Sequence, residues 1–376
     1  MLTNMARHRT LIRAGRVVDA TMSLGPGSIL LDGGDIVAAG SPADVGDVPG
    51  AKVLDLSASV VMPALVNAHC HLDLSTLDPR PYHGDFPAWL DRVTTGRPTG
   101  DDAVAAAVRR GIHLSRLGGT GVVGDIDGRA SGVPARELRA GGLAGVSYLE
   151  LIGVGPGRER AMATLDDAAG WPAQADGGVR MGISPHAPYT CDAGIYRAAA
   201  GLPVPMATHL AEAPGETGSI DDLADVLAMR PVAAAHVNYA TDAQIRLLAA
   251  ARTTVVFCPR AAAYFGHRSH GYRRMIEAGV NVALGTDGLL CLDRADRLSV
   301  LDDMRLLHRR DDADPAVLLR MATTAGAIGL GLDPGFVTFA PGPVAGLVAL
   351  PFDPADACDP FAQVLQRDDA PEWVAG

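Results

Sequence analysis

The chain has 376 residues, 48% of them hydrophobic, and a formal net charge of -11. That length allows one large domain, or a large domain with a small one. The acidic balance argues against a nucleic-acid backbone or an anionic membrane as partner, though not against a local basic pocket for a small anion.

No apolar run reaches the roughly 18 residues that a membrane span requires. The opening stretch, MLTNMARHRTLIRAG, breaks its apolar positions with arginines and polar groups and carries no signal-like hydrophobic run. Residues 10 to 60 then read as short strands. The runs TLIRAGRVVDA, GSILLDGGDIVAAG and AKVLDLS carry aliphatic and β-branched residues between Gly-Gly, Gly-Pro and Asp-Gly turn signals. From about residue 60 the pattern changes to buried-strand runs alternating with Ala/Leu/Arg-rich helical stretches. Strands are predicted near 60–67, 120–125, 145–151, 179–185, 205–209, 232–237, 253–258 and 281–286. Helices are predicted at DDAVAAAVRRGIHLSRLG, DDLADVLAMR, TDAQIRLLAAA and GYRRMIEAG. Eight such units imply an α/β fold, a TIM-like parallel (β/α)8 barrel. The tail PGFVTFAPGPVAGLVALPFD is strand-like again and is expected to return to the first β unit. The small domain is then discontinuous, over 1–59 and 335–376, around a barrel over 60–334. No repeat of 20–50 residues is present, and the 44 glycines and 26 prolines are spread along the chain, so no low-complexity linker is expected.

The cysteines, Cys70, Cys191, Cys258, Cys291 and Cys358, are scattered with no CxxC pair. No disulfide framework is expected, and a reducing cytoplasm fits. Lys52 is the single lysine among the 32 basic residues. Schiff-base chemistry, or a carbamylated lysine bridging two metals, is therefore excluded from every later segment.

The C-terminal ends of the predicted strands carry the chemistry. The first delivers His69 and His71 in VNAHCHLD, and the fourth His186 in GISPHAPY. The fifth delivers His209 and Glu212 in MATHLAEAPGE, the sixth His236 in AAAHVN. The seventh ends in Cys258 and Arg260 of VVFCPR, and the eighth in Asp287 of VALGTDG. Each has an ordinary reading alone. An HxH pair can be two exposed strand residues, Asp after Gly-Thr can cap a helix, and HxxE can be a surface pair. Five strands bringing His or Asp to one rim of a barrel are hard to explain by packing, and that rim is where barrel enzymes hold their sites. Neutral imidazole and carboxylate suit a divalent cation such as zinc, with a position left open for water. Alternate strand residues share a face, so His69 and His71 can hold one ion, completed by His209 and Asp287 from across the rim. The ion would bring the pKa of its water towards ~7. Glu212 could then shuttle protons, and His236 could orient or deprotonate the water, with Asp287 accepting a hydrogen bond from it. Spacing does not separate zinc from iron or manganese.

The segments MPALVNAHCHLDLS, THLAEAPGE, AHVNYA and VALGTDG together resemble the amidohydrolase superfamily, in particular its deaminase and chlorohydrolase branch, over about residues 60 to 330. MATTAGAIGLGL resembles that family's ATxxGAxxLGL helix. The resemblance implies that the flanking β segments form a small β-sandwich. It implies that His69, His71, His209 and Asp287 are the ligands of a single metal, Glu212 the catalytic acid/base, and His236 the histidine beside the attacking water. His186 matches a substrate-contacting histidine of the S-adenosylhomocysteine and methylthioadenosine deaminase group. The departures lie at Cys258-Pro259-Arg260-Ala261-Ala262, where relatives have Cys-Pro-x-Ser-Asn, and at DRVTTGRPTG, which lacks the ribose-gripping carboxylate of adenosine-type deaminases. Glu150, in SYLELIG, is a candidate for another recognition role.

Arg260 and the neighbouring His267, Arg268 and His270 suggest a substrate with an anionic group, such as aminodeoxyfutalosine; Arg260 could equally form a structural ion pair. The expected activity is hydrolytic deamination of an amino-purine nucleoside or related amino-heterocycle, with metal-bound hydroxide attacking the amino-bearing carbon. The alternatives are hydrolysis of an amide, a cyclic ureide or a carbon–halogen bond on the same scaffold, and a non-catalytic barrel used as an interaction module. The expected partner is a small molecule, with a homodimer compatible with the chain. The loops at 72–100 and 260–272 are expected to read the substrate's tail.

Overall fold

The computed structural model describes residues 9–171, 177–267 and 270–376. The chain opens with β1 (Arg9–Val18), β2 (Ser23–Leu24), β3 (Gly27–Asp32), β4 (Asp35–Gly40) and β5 (Lys52–Pro63). Next come β6 (Leu65–Cys70), β7 (Thr120–Asp127), β8 (Ala144–Leu151), β9 (Val179–Pro185), β10 (Ala207–Leu210), β11 (Ala233–His236), β12 (Thr254–Phe257) and β13 (Asn281–Leu284). The tail adds β14 (Gly342–Pro343), β15 (Leu347–Pro351) and β16 (Glu372–Ala375).

Strands from both ends of the chain form one mixed sheet in the order β14-β4-β3-β1-β5-β15-β16, with β2 on β1. In the tail, β15 pairs antiparallel with β5, Leu347 opposite Pro63. Ile12, Val17, Ile29, Ile36, Val61, Phe339 and Leu347 bury together on this sheet. The strand expected at 60–67 is two strands. Pairing changes at Ala64, whose N–H donates to the Gly346 carbonyl in the tail, while that of Leu65 donates to Gly119.

The other eight strands form two parallel sheets, β6-β7-β8-β9 and β10-β11-β12-β13. Parallel bridges at Ile183–Met206 and Cys70–Asp287 join them at both margins. β10, β11 and β12 are buried at every position, as strands covered on both faces must be. Small residues make room for their convergence: Ala207, Ala233 and Ala283 pack with Val66, Val122, Tyr148 and Val256.

Helices lie between the strands. The helix Asp101–Leu117 has Asp101 and Asp102 in its first turn and Arg116 in its last, matching the helix dipole, and buries Val104, Val108, Ile112 and Leu114 along one face. The stretch DDLADVLAMR is not one helix; it breaks at Leu223 between Ser219–Asp222 and Ala224–Met229. Among the described residues, no helix is long and apolar enough to cross a membrane.

Candidate metal centre and cavity

His69 and His71 emerge at the carboxyl end of β6, and Asp287 just beyond β13. Backbone pairing sets their approach. The amides of Thr286 and Asp287 donate to the His69 carbonyl at 3.0 and 3.1 Å. Asn67 locks the register: its Nδ2 donates to Thr286 Oγ1 at 2.8 Å, and its Oδ1 accepts from the Thr286 amide at 3.0 Å. Gly285 permits the close contact, because a Cβ there would stand 2.9 Å from both Cβ and the carbonyl oxygen of His69. Asp287 itself turns with φ 61°, a conformation few non-glycine residues adopt. Its Oδ1 ends 3.4 Å from His71 Nε2 and 3.8 Å from His69 Nε2.

His209, on β10, faces this pair. Its Nδ1 lies 3.1 Å from the His186 carbonyl. A carbonyl only accepts, so the proton sits on Nδ1 and the Nε2 lone pair points inward. That Nε2 lies 3.3 Å from His71 Nε2. His236 ends β11, with its Nε2 3.8 Å from Glu212 Oε1. The donor atoms of His69, His71 and Asp287 lie within 4.8 Å of one another, as do those of His69, His209 and His236, and those of Glu212, His236 and Asp287.

Whether a cation fits is decided by the unsatisfied atoms. His69 Nε2, His236 Nε2 and His71 Nδ1 are buried with no hydrogen-bond partner, and His71 Nε2 and His209 Nε2 lie 3.3 Å apart, where at most one of them can carry a proton. Converging buried lone pairs are unfavourable unless something electropositive lies between them. Imidazoles plus a carboxylate oxygen form a donor set for a divalent cation of intermediate softness. Burial, then the neighbouring imidazoles, keep His69, His71 and His236 neutral, well below the ordinary histidine range. Burial pushes His209 down to about 4. Burial likewise pushes the carboxyl of Asp287 up to about 7 and that of Glu212 up to about 8. A bound dication would pull both carboxyls back towards ionisation.

A cavity of about 330 Å³ opens onto this cluster. It is lined by Glu150, His186 and Arg97, and by Phe86, Trp89 and Val93 from the helix Phe86–Gly96. Arg97 Nη1 lies 3.5 Å from carboxylates of both Asp73 and Glu150. Burial opposes the charge of Glu150, but His186 and Arg97 outweigh it and hold its carboxyl low.

The amidohydrolase family profile matches residues 60–371. The chain belongs to the amidohydrolase family. It is a hydrolytic enzyme acting on carbon–nitrogen bonds. Among curated amidohydrolase relatives, a 5-methylthioadenosine/S-adenosylhomocysteine deaminase of Desulforudis audaxviator is 30% identical, covering 90% of this chain and 84% of the relative. Two solved structures share the fold. An aminofutalosine deaminase of Helicobacter pylori superposes with TM-score 0.80 at 19% identity, covering 97% of both chains. A zinc-complexed atrazine chlorohydrolase of Arthrobacter aurescens gives 0.81 at 22%, covering 95% of this chain and 91% of that one.

Of the residues expected at the site, His69, His71, His209, Glu212, His236 and Asp287 converge, and Glu150 and His186 line the same cavity. Two residues expected to touch substrate do not line it. Arg260 is buried elsewhere, its donors already used: Nη2 bonds Asp303 at 3.1 Å and the Ser299 carbonyl at 2.9 Å, and Nε bonds Asp303 at 3.2 Å. It is a structural ion pair. His267 turns its Nδ1 to the Tyr239 hydroxyl at 2.8 Å, and Arg268 lies outside the described residues. Among the lining residues that sequence reasoning missed are Phe86, Trp89 and Arg97. Their signal is the helical spacing of Phe86, Trp89, Leu90 and Val93, with Pro87 in the first turn.

Proposed function

We propose that the protein is a metal-dependent hydrolytic deaminase of an amino-purine nucleoside or related amino-heterocycle. His69, His71, His209 and Asp287 would hold one divalent cation, zinc in this reading. When bound, the cation supplies a water acidic enough to attack near neutral pH.

The observation that carries the reading is the placement of Glu212. Its carboxyl lies in the cavity wall, within 4.8 Å of the donor atoms of Asp287 and His236. From there it can take a proton from the attacking water, deliver it to a ring nitrogen, and pass a second proton to the departing ammonia. His236 Nε2 has no other partner and is free to orient the water. Glu150 and His186 offer an acceptor and an imidazole edge to the substrate, in a cavity whose aromatic rings, Phe86 and Trp89, suit a planar heterocycle. The deaminase name of the curated relative supports the same chemistry. Arg260 no longer argues for an anionic tail; among the described residues, the arginines on the cavity wall are Arg97 and Arg129.

The same reading makes the two parallel sheets one (β/α)8 barrel over residues 60–334. The sheet from the chain ends, 1–59 and 335–376, is then a separate small sandwich-like domain. It places the enzyme in the cytoplasm, in keeping with five free cysteines.

The test is ammonia release by the metal-assayed protein from adenosine, methylthioadenosine, S-adenosylhomocysteine and aminodeoxyfutalosine. Turnover of one supports the reading and identifies the accepted tail. Metal-replete protein that releases ammonia from none of them refutes it and redirects the search to amides, cyclic ureides and carbon–halogen bonds.

A further inference from the structure

We propose that His270 is a positioning residue for His236, donating the hydrogen bond that fixes the backbone turn from which His236 enters the cavity. His270 does not line the cavity. It lies between β12 and β13, ahead of the helix Tyr272–Glu277. Its Nε2 stands 2.8 Å from the His236 carbonyl oxygen. The carbonyl can only accept, so Nε2 carries the proton, and Nδ1 is left buried without a partner.

The strand pairing explains why that carbonyl needs a donor. β11 pairs with β10 as far as Leu210–His236, but with β12 only as far as Ala235–Val256. Beyond that pair the chain turns left-handed, with φ 71° at His236 and 51° at Val237. Neither is glycine, and Val is β-branched, so surrounding contacts must hold the turn. On the β10 side, Val237 N–H donates to Leu210 at 2.8 Å and Asn238 N–H to Ala211 at 3.0 Å. Asn238 Nδ2 also donates to the Glu212 carbonyl at 2.9 Å. On the β12 side the donor is His270. Its ring stacks on Phe257 at 3.8 Å and 11°, with Tyr272 stacked further out at 6.3 Å. The stack aims Nε2, Nε2 fixes the His236 carbonyl, and the turn sets the 3.8 Å approach of His236 to Glu212.

Two substitutions separate positioning from bulk packing. His270→Phe keeps the stack and removes the donor; His270→Gln keeps a donor and gives up the stack. Long-range proton–nitrogen imidazole spectra of the chelator-treated protein, assigned with His236→Asn, report the His236 ring without substrate or metal. The proposal requires His236 resonances displaced in the Phe variant and near wild type in the Gln variant; any other pattern overturns it. The kinetic arm rests on the deaminase reading. There the Phe variant should lose about 10- to 100-fold in kcat with KM within about threefold, and the Gln variant should recover most of that loss. Equal losses in both variants, or none in the Phe variant, overturn the proposal. Failure of the wild type to release ammonia from any substrate counts against the deaminase reading alone, and the spectra still decide the role of His270.

Discussion

The amide of Asp287 donates to the carbonyl of His69 at 3.1 Å, so two side chains that converge on one point are held together by backbone. Asn67 is the lock beside that contact, through its two bonds to Thr286. Asn67→Ala would leave the buried amide and hydroxyl of Thr286 without those partners. A loss of about 1–3 kcal/mol is expected in denaturant unfolding. Metal affinity should fall by about 10- to 100-fold, as it does when groups behind the ligands are removed. Unchanged metal titration would show that the register is held by other contacts.

Arg260 supplies a second test, because its burial and its proposed roles make opposite forecasts. Arg260→Met strips Asp303 of its cation in a buried setting. A stability loss of about 3–5 kcal/mol is expected, with KM within about twofold for protein assayed below its unfolding transition. A KM raised tenfold or more, with stability retained, would return Arg260 to substrate binding.

Asp302 gives the same network a pH signature. Burial would raise its carboxyl, but Arg297, Arg260 and Arg305 outweigh that and hold it down at about 2, against an ordinary 3.8. A depressed carboxylate stabilises the folded state above its unfolded pKa and loses that contribution as pH falls through its folded one. The contribution is about 2 kcal/mol at neutral pH. In chelated protein, the stability gap between wild type and Asp302→Asn should be full above about pH 4 and shrink towards pH 2. A gap that stays constant over that range would contradict the assignment.

Trp89 stands on the cavity wall with Phe86, the two rings 5.6 Å apart. If this wall receives the heterocycle, Trp89→Ala should raise KM by about tenfold, some 1.4 kcal/mol, with kcat changed less. A change confined to kcat would place the ring away from bound substrate.

The parts of this site that were legible in the sequence are those set by local rules. Buried strands ending in His or Asp at 69, 71, 209, 236 and 287 are visible because each polar residue interrupts an apolar run. The parts that were not legible depend on partners far along the chain. Arg260 looks the same in sequence whether it meets a substrate or a protein carboxylate; Asp303, which decides the matter, lies 43 residues away. Arg97 depends on Asp73 and Glu150 in the same way. The helix Phe86–Gly96 was hidden by Pro79, Pro81 and Gly84 before it, which read as loop, although Pro87 is well suited to a first turn. The split at Ala64 follows from the Gly346 carbonyl nearly three hundred residues on, a partner no local pattern reveals.

The most direct measurement is turnover by Glu212→Gln beside wild type, on protein of known metal content, with the substrate from which wild type releases ammonia fastest. The amide keeps the shape of the side chain at 3.8 Å from His236 but carries no transferable proton. Equal metal stoichiometry with kcat lower by about 10²- to 10⁴-fold is the expected result. Equal stoichiometry with kcat near wild type would contradict the claim that Glu212 moves the protons of this reaction.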